Sequence, residues 1–351
     1  MKMSRSASLP LDKFIEWALY DKSYGYYMKK NPFGKKGDFI TSPNITRLFS
    51  EIIAIWIITF WKSMESPKKF NLLELGAGNG EMMKVITETL KNFPKCYEAC
   101  NFMIYEKSDF LKNLQKKNLN SQKISWLKNI NKINSYPTLY LANEFFDAIP
   151  LKQFFKKKEG WIERYVKFKN LKKAEFVEQK IDIKKFENNL NLKISKNQNV
   201  IEYSPGAFKY LKNICKKIQK NDGGILIIDY GYLSSKMHDT LQAINNHKYS
   251  SVIENIGDSD ITYNINFNLF QKFTNQFDDL TSIITTQKKF LTSMGILQRA
   301  EIVSKNIPFS KKTDLFFRVR RLIDEKQMGE LFKVMLIKSI KNKFKTGFQI
   351  D

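Results

Sequence analysis

Leu72-Leu73-Glu74-Leu75-Gly76-Ala77-Gly78-Asn79-Gly80 is the stretch that decides how this chain folds. A short apolar run, the mark of a buried strand, leads straight into a turn with glycine at alternate positions. A helical pattern from Glu81 to about Leu90 follows at once. Glycine lets a backbone reverse tightly and approach a ligand closely. An acid stands two residues before the first glycine, and the spacing differs from the dinucleotide pattern G-x-G-x-x-G. The plainer reading of such a joint is chain reversal alone.

Working outward, Asn101 to Glu106 reads as a second strand, Ile124 to Leu127 as a third and Thr138 to Ala142 as a fourth. A helix from Pro205 to Lys220 and a strand from Ile225 to Asp229 form a further unit. Strands alternating with helices predict a parallel sheet covered by helices. Upstream, Leu11, Phe14, Ile15, Ala18 and Leu19 have helical spacing. Gly34 to Pro43 reads as a loop, with Thr41 or Ser42 capping one helix that continues to about Met64. Leu151 to about Val200 is lysine-rich and carries a turn signal at Glu159-Gly160, which predicts an antiparallel insertion. Beyond Gly231 the chain reads as mostly helical, with a last strand within Met328 to Ile337. The expected division is a helical extension over 1–68, a core in two parts over 69–150 and 201–351, and an inserted substrate lobe over 151–200.

The composition of the 351 residues is ordinary for a globular protein, with 42% hydrophobic and 27% charged residues. No apolar run reaches the roughly 20 residues that span a bilayer. The longest, Ile52 to Trp61, reads as a buried helix. The N-terminus shows no apolar segment of a secretory signal. Three cysteines build no disulfide framework, and Cys96 and Cys100 lack the neighbours of a zinc site, so no metal is expected. The net charge of +24 comes from lysines spread along the chain among many asparagines and isoleucines. Without a concentrated basic tract, such a charge argues against a dedicated nucleic-acid partner.

A parallel sheet binds its ligand at the carboxyl ends of its strands. Glu74 and the glycines, Glu106, the pair Asn143 and Glu144, and Asp229 all stand at predicted strand ends. A carboxylate after the second strand can accept hydrogen bonds from both hydroxyls of a ribose. An asparagine beside a glutamate can orient a nitrogen nucleophile, and a carboxylate can hold a guanidinium through two hydrogen bonds.

Several further runs carry a resemblance: Gly37-Asp38-Phe39-Ile40-Thr41-Ser42-Pro43, Asn143-Glu144-Phe145-Phe146-Asp147-Ala148-Ile149-Pro150, Glu202-Tyr203-Ser204-Pro205-Gly206, Asp229-Tyr230-Gly231-Tyr232 and Asp239-Thr240-Leu241-Gln242-Ala243. With the glycine motif, they make the chain resemble, over nearly its whole length, the MidA family of S-adenosylmethionine (SAM)-dependent methyltransferases. The resemblance implies an α/β, Rossmann-like SAM-dependent methyltransferase fold, SAM as cofactor and methylation of protein arginine. It implies a protein substrate, a 49-kDa-type subunit of respiratory complex I, and leaves a homodimer open. It places Gly37, Asp38, Thr41, Ser42, Glu74, Gly76, Gly78, Gly80 and Glu106 around the cofactor, with the 37–43 loop closing over it. Asn143, Glu144 and Asp147 would be catalytic. A bacterial cytoplasm, or a mitochondrial matrix in a eukaryote, is the expected location. A SAM-binding assembly scaffold with little turnover and a methyltransferase for small molecules or nucleic acid are the competing readings. The sequence departs from the family at Thr262-Tyr263-Asn264-Ile265-Asn266-Phe267, where asparagines replace the usual histidine and aspartate.

Overall fold

The computed structural model describes residues 8–29, 32, 41–120, 123–245 and 248–348. In chain order, β1 (Ser8–Pro10) and α1 (Leu11–Tyr20) lead to α2 (Arg47–Ser63), β2 (Phe70–Leu75) and α3 (Glu81–Leu90). β3 (Cys100–Tyr105), α4 (Asp109–Asn118), β4 (Ile124–Leu127) and β5 (Thr138–Asn143) follow. A β-rich segment comprises β6 (Lys152–Lys157), β7 (Gly160–Phe168), β8 (Ala174–Ile181) and β9 (Val200–Tyr203). The chain then returns through α5 (Pro205–Asn221) to β10 (Gly223–Tyr232), and later to β11 (Leu280–Thr286) and β12 (Phe332–Ser339).

The central sheet has the order β11-β12-β10-β5-β2-β3-β4. The strands from β10 to β4 run parallel, while β12 is antiparallel to both β10 and β11. This is the Rossmann-like α/β architecture that the family resemblance implies, with the parallel core expected from the strand–helix alternation. Every residue of β2 is buried, as a central parallel strand requires. Its side chains alternate between two cores. Leu73 and Leu75 join α1, α5 and the β-rich lobe on one face, while Phe70 and Leu72 join α2 and α3 on the other. The chain passes from β2 outward to β3 and β4, then crosses back to β5 on the other side of β2. That reversal opens a crevice at the carboxyl ends of β2 and β5, the usual binding place in an open α/β sheet.

The segment after Leu151 forms a separate antiparallel sheet. Lys157 pairs with Gly160 across a tight hairpin, β8 covers one edge of β7, and β6 and β1 share the other. Lys152 bridges Asp12 of α1 and Glu163 of β7 at 3.0 and 2.6 Å, which fastens the N-terminal helix to this lobe.

Two expectations are corrected. The single helix to Met64 is two: a turn over Ser42–Ile45, then α2. Thr46 is extended between them (φ −153°), and its hydroxyl, rather than that of Thr41 or Ser42, accepts a hydrogen bond from the Leu48 N–H at 3.3 Å. A β-branched threonine tolerates extended backbone well and caps readily, so the break falls there. The stretch beyond Gly231 is also less helical than expected. Gln242–Asn245, Lys248–Ser250 and Asp260–Thr262 form a small antiparallel sheet, and β11 is a full strand rich in threonine and isoleucine.

Candidate active site

The glycine turn is built as its composition demands. Gly76, Gly78 and Gly80 have φ of +66°, +54° and +84°, values that side chains with a Cβ rarely adopt. The Gly76 N–H donates to the Tyr105 carbonyl at 2.9 Å, tying the turn to β3. A Cβ at Gly76 would lie 2.9 Å from a ring carbon of Phe145. Gly80 stands at the N-cap of α3, where a Cβ would lie 3.0 Å from a side-chain carbon of Leu119.

Two acids flank the turn. Glu74 is 3% exposed, and its Oε2 has no hydrogen-bond partner among the described residues. Burial, with a contribution from the charge of Glu106, pushes its carboxyl up to about 8. An unpartnered buried acceptor costs about 1–3 kcal/mol, so this position suits a cationic ligand group better than a purely structural role. Glu106 follows β3 directly. The Ser108 N–H donates to its Oε1 at 2.9 Å and the Gln115 amide to its Oε2 at 3.0 Å. Burial raises its pKa, and these donors oppose the rise.

A cavity of about 520 Å³ opens over these strand ends, with Gly76, Gly78, Glu106, Glu144 and Phe145 in its wall. An adjoining cleft of about 40 Å³ brings together Thr41, Glu74, Gly76, Gly78, Asn143 and Glu144. Thr41, Glu74, Gly76, Gly78 and Glu106 of the predicted cofactor set and Asn143 and Glu144 of the catalytic set therefore meet around the same turn. Ser42 lies beneath: it is fully buried, and its N–H donates to Glu144 Oε1 at 3.3 Å. Asp147 is buried and lines neither space. Gly37 and Asp38 lie outside the described residues.

The loop after β5 is strained and acidic. Glu144 has φ +50°, a left-handed conformation whose cost of about 1–3 kcal/mol is typical of functional sites. Its N–H donates to the Ile228 carbonyl at 2.9 Å, and its Oε1 also accepts from Asn143 Nδ2 at 3.1 Å. Burial and the nearby Asp147 charge push the Glu144 carboxyl up to about 8, against the donors Ser42, Asn143 and Tyr230. The Oδ1 atoms of Asn143 and Asp147 have no hydrogen-bond partner among the described residues. β10 runs on to Tyr232, three residues past the expected end at Asp229; Asp229, fully buried within it, pins the loop: its Oδ2 accepts from the N–H groups of Phe146 and Asp147 at 3.0 and 3.4 Å. Burial, then the charges of Asp147 and Glu144, hold Asp229 well above the ordinary carboxyl range. Glu144, Asp147 and Asp229 have no ion pair among the described residues, although the chain as a whole carries +24.

Residues from the distant 262–266 segment complete the loop's support. Thr262 donates to Asp147 Oδ2 at 2.9 Å, and the Tyr263 hydroxyl donates to the Phe146 carbonyl at 2.9 Å. Asn266 caps the helix Phe267–Thr274 by accepting from the Leu269 N–H at 2.9 Å. An aspartate would cap equally well, but only the amide can also donate to the Ser234 carbonyl, as Asn266 Nδ2 does at 3.1 Å. The Asn264 N–H donates to Thr240 Oγ1 at 3.0 Å. Sequence reasoning passed over Thr262, Tyr263 and the pinning role of Asp229. Only their nearness to recurring motifs marked them.

Comparison with known proteins agrees with this geometry. Residues 52–286 match a family of S-adenosyl-L-methionine-dependent methyltransferases. The chain is 26% identical to the Xenopus laevis protein arginine methyltransferase NDUFAF7, mitochondrial, over 98% of this chain and 85% of that one. It is also 26% identical to the human protein of the same name, over 94% and 80%. A crystal structure from Burkholderia thailandensis, bound to S-adenosyl-homocysteine, superposes with a TM-score of 0.80 at 22% identity, covering 98% of this chain and 89% of that one. The chain thus belongs to the MidA-like family of SAM-dependent methyltransferases.

Proposed function

We propose that this methyltransferase transfers methyl groups to the guanidinium of arginine in a protein substrate. The observation that carries the reading is the acceptor cluster beside the glycine turn: Asn143 Oδ1 and Asp147 Oδ1 have no hydrogen-bond partner among the described residues, and Glu144 lines the cleft with Asn143. Acceptor oxygens without protein donors, in a cleft of an otherwise basic chain, suit a planar cation that brings several N–H groups. The names of the curated relatives support the same acceptor.

The residues around the turn fit the cofactor. Glu74 Oε2 would receive the ammonium of SAM, Glu106 would accept from the ribose hydroxyls, and Gly76 and Gly78 leave room for close approach. Thr41 would line the cofactor cleft and Ser42, buried behind it, would support it through Glu144, while Gly37 and Asp38 keep the cofactor role that the family resemblance implies. When bound, SAM supplies a methyl group on a sulfonium. The protein's part is alignment, which is the larger share of such a displacement. Asn143 and Glu144 orient the guanidinium, and Asp147 supports them from behind. The Glu144 carboxylate is also placed to accept the proton released on methylation. The antiparallel sheet of β6–β8 is the proposed lobe for the substrate protein.

The 49-kDa-type subunit of complex I, a homodimeric state and a bacterial cytoplasmic location, or a matrix location as in the mitochondrial relatives, belong to the same proposal. No helix among the described residues is long and apolar enough to cross a membrane. The test is incubation with methyl-labelled SAM and a lysate from cells lacking the protein, followed by hydrolysis of labelled bands to amino acids. Label in dimethylarginine supports the proposal. Label in another amino acid, or only in small molecules, contradicts it.

A further inference from the structure

Gln115 projects from α4 and is fully buried, away from any solvent-driven reason to be polar. Its amide makes three hydrogen bonds. Nε2 donates to the Gly78 carbonyl at 2.9 Å and to Glu106 Oε2 at 3.0 Å, while Oε1 accepts from Trp126 Nε1 at 3.0 Å. The assignment of oxygen and nitrogen is forced by chemistry. An indole N–H can only donate, so the atom facing it must be the amide oxygen. The NH₂ group then has one hydrogen for each of the other two partners, both of which can only accept when Glu106 is ionised.

We propose that Gln115, locked by Trp126, is a positioning residue that holds the two halves of the SAM site in register. One of its N–H groups fixes the carbonyl of Gly78 in the middle of the glycine turn. The other fixes one oxygen of Glu106, whose second oxygen is held by the Ser108 N–H at 2.9 Å. With both oxygens anchored from behind, the carboxylate plane is set and its remaining lone pairs are turned to the cavity. The pairing of β2 with β3 ends at Leu75 and Tyr105, and the Gly76 N–H extends it by one bond to the Tyr105 carbonyl, so Gly78 and Glu106 lie beyond the reach of the sheet register. Ser108 shares in the framework: its Oγ caps α4 at the Leu111 N–H (3.2 Å) and donates to the Tyr27 carbonyl at 2.6 Å. Neither Gln115 nor Trp126 belongs to a motif that the sequence reading singled out. The inference rests on the assignment of Glu106 to the ribose hydroxyls.

The experiment is titration calorimetry of the full chain with S-adenosylhomocysteine, for Gln115→Met, Glu106→Ala, the double variant, and Trp126→Phe. Gln115→Met is expected to raise Kd about tenfold, the usual scale for a hydrogen bond to a charged group. The double variant should bind no more weakly than about twofold below Glu106→Ala, because Gln115 acts largely through Glu106. Trp126→Phe frees the amide to turn over and should raise Kd about threefold while the fold stays intact, which keeps the test decisive if Gln115→Met folds poorly. Gln115→Met or Trp126→Phe binding as the parent does, while Glu106→Ala is weakened, would overturn the clamp alone. So would full additivity of the two single effects. An unchanged Kd in Glu106→Ala would instead remove the ribose assignment, and the clamp with it.

Discussion

The two sides of the crevice are built by opposite means. On the cofactor side, β2, the glycine turn, Glu106 and α4 come from one stretch of about fifty residues. Glu106 has donors on both oxygens there, and Gln115 joins the turn to it. On the acceptor side, the loop 144–147 is held by Ser42, Asp229, Thr262 and Tyr263, residues far apart in the chain. That side keeps orphaned oxygens and a glutamate at φ +50°. The cofactor side also keeps one orphaned oxygen, Glu74 Oε2, but its framework is local, which suits a ligand common to a whole enzyme class. A strained, unsatisfied one suits a reacting group, and its shape can change when any distant support changes.

The comparison can be broken from either side. The largest effect is expected for Gly76→Val. Its side chain would press into Phe145 and force a β-branched residue into φ +66°, so SAM affinity should fall by about a hundredfold or more in calorimetry, with transfer lost in parallel. Retained binding would mean the turn is not the cofactor's seat.

A smaller but still large effect is expected from pH. Glu144 must be ionised to hold a guanidinium, and its carboxyl sits at about 8 in the free protein. The guanidinium stays charged throughout, so kcat/KM should rise about tenfold for each pH unit below 8 and level off above it. A profile that falls with rising pH would contradict the role.

Thr262→Val sharpens the contrast. It removes the donor to Asp147 without touching the cofactor side. Transfer should drop about five- to tenfold while SAM Kd stays within twofold. Loss of both together would mean the two sides are not separable.

Glu74→Gln gives the smallest effect, in stability. The carboxyl titrates near 4.5 when unfolded and near 8 when folded. As pH rises from about 4.5 to 8 the unfolded state sheds its proton first, so burying Glu74 destabilises the native state progressively across that window. At pH 8 the apo Glu74→Gln variant should melt roughly 2–5 °C above the parent, and the gap should close near pH 4. SAM should stabilise the variant less than the parent. A variant that melts lower at pH 8 would show that Glu74 has a partner in the apo protein.

The same asymmetry explains what was legible in the sequence. The strand from Leu72, the glycine turn and the helix from Glu81 were readable because strand burial, positive φ and helical period all act within a few residues. The position of Glu106 followed from strand spacing. Asn143 and Glu144 were marked by their place at a strand end and by family resemblance. Nothing local in Thr262 or Tyr263 says that their hydroxyls meet the 144–147 loop, because that contact forms only when the chain returns after β10. The break at Thr46 was lost for a related reason. The Ser42 N–H donates to Glu144 Oε1, a long-range contact that no local pattern reveals, and Thr46 stands extended between that turn and α2.

The measurement closest to the central claim is Glu144→Gln, assayed for SAM binding by calorimetry and for methyl transfer to protein arginine on the same preparation. The account predicts SAM Kd within about twofold of the parent, since the amide keeps the shape of the loop. It also predicts transfer reduced by about a thousandfold, since the amide cannot pair with a guanidinium or take its proton. Equal loss of binding and transfer, or transfer near the parent rate, would contradict it.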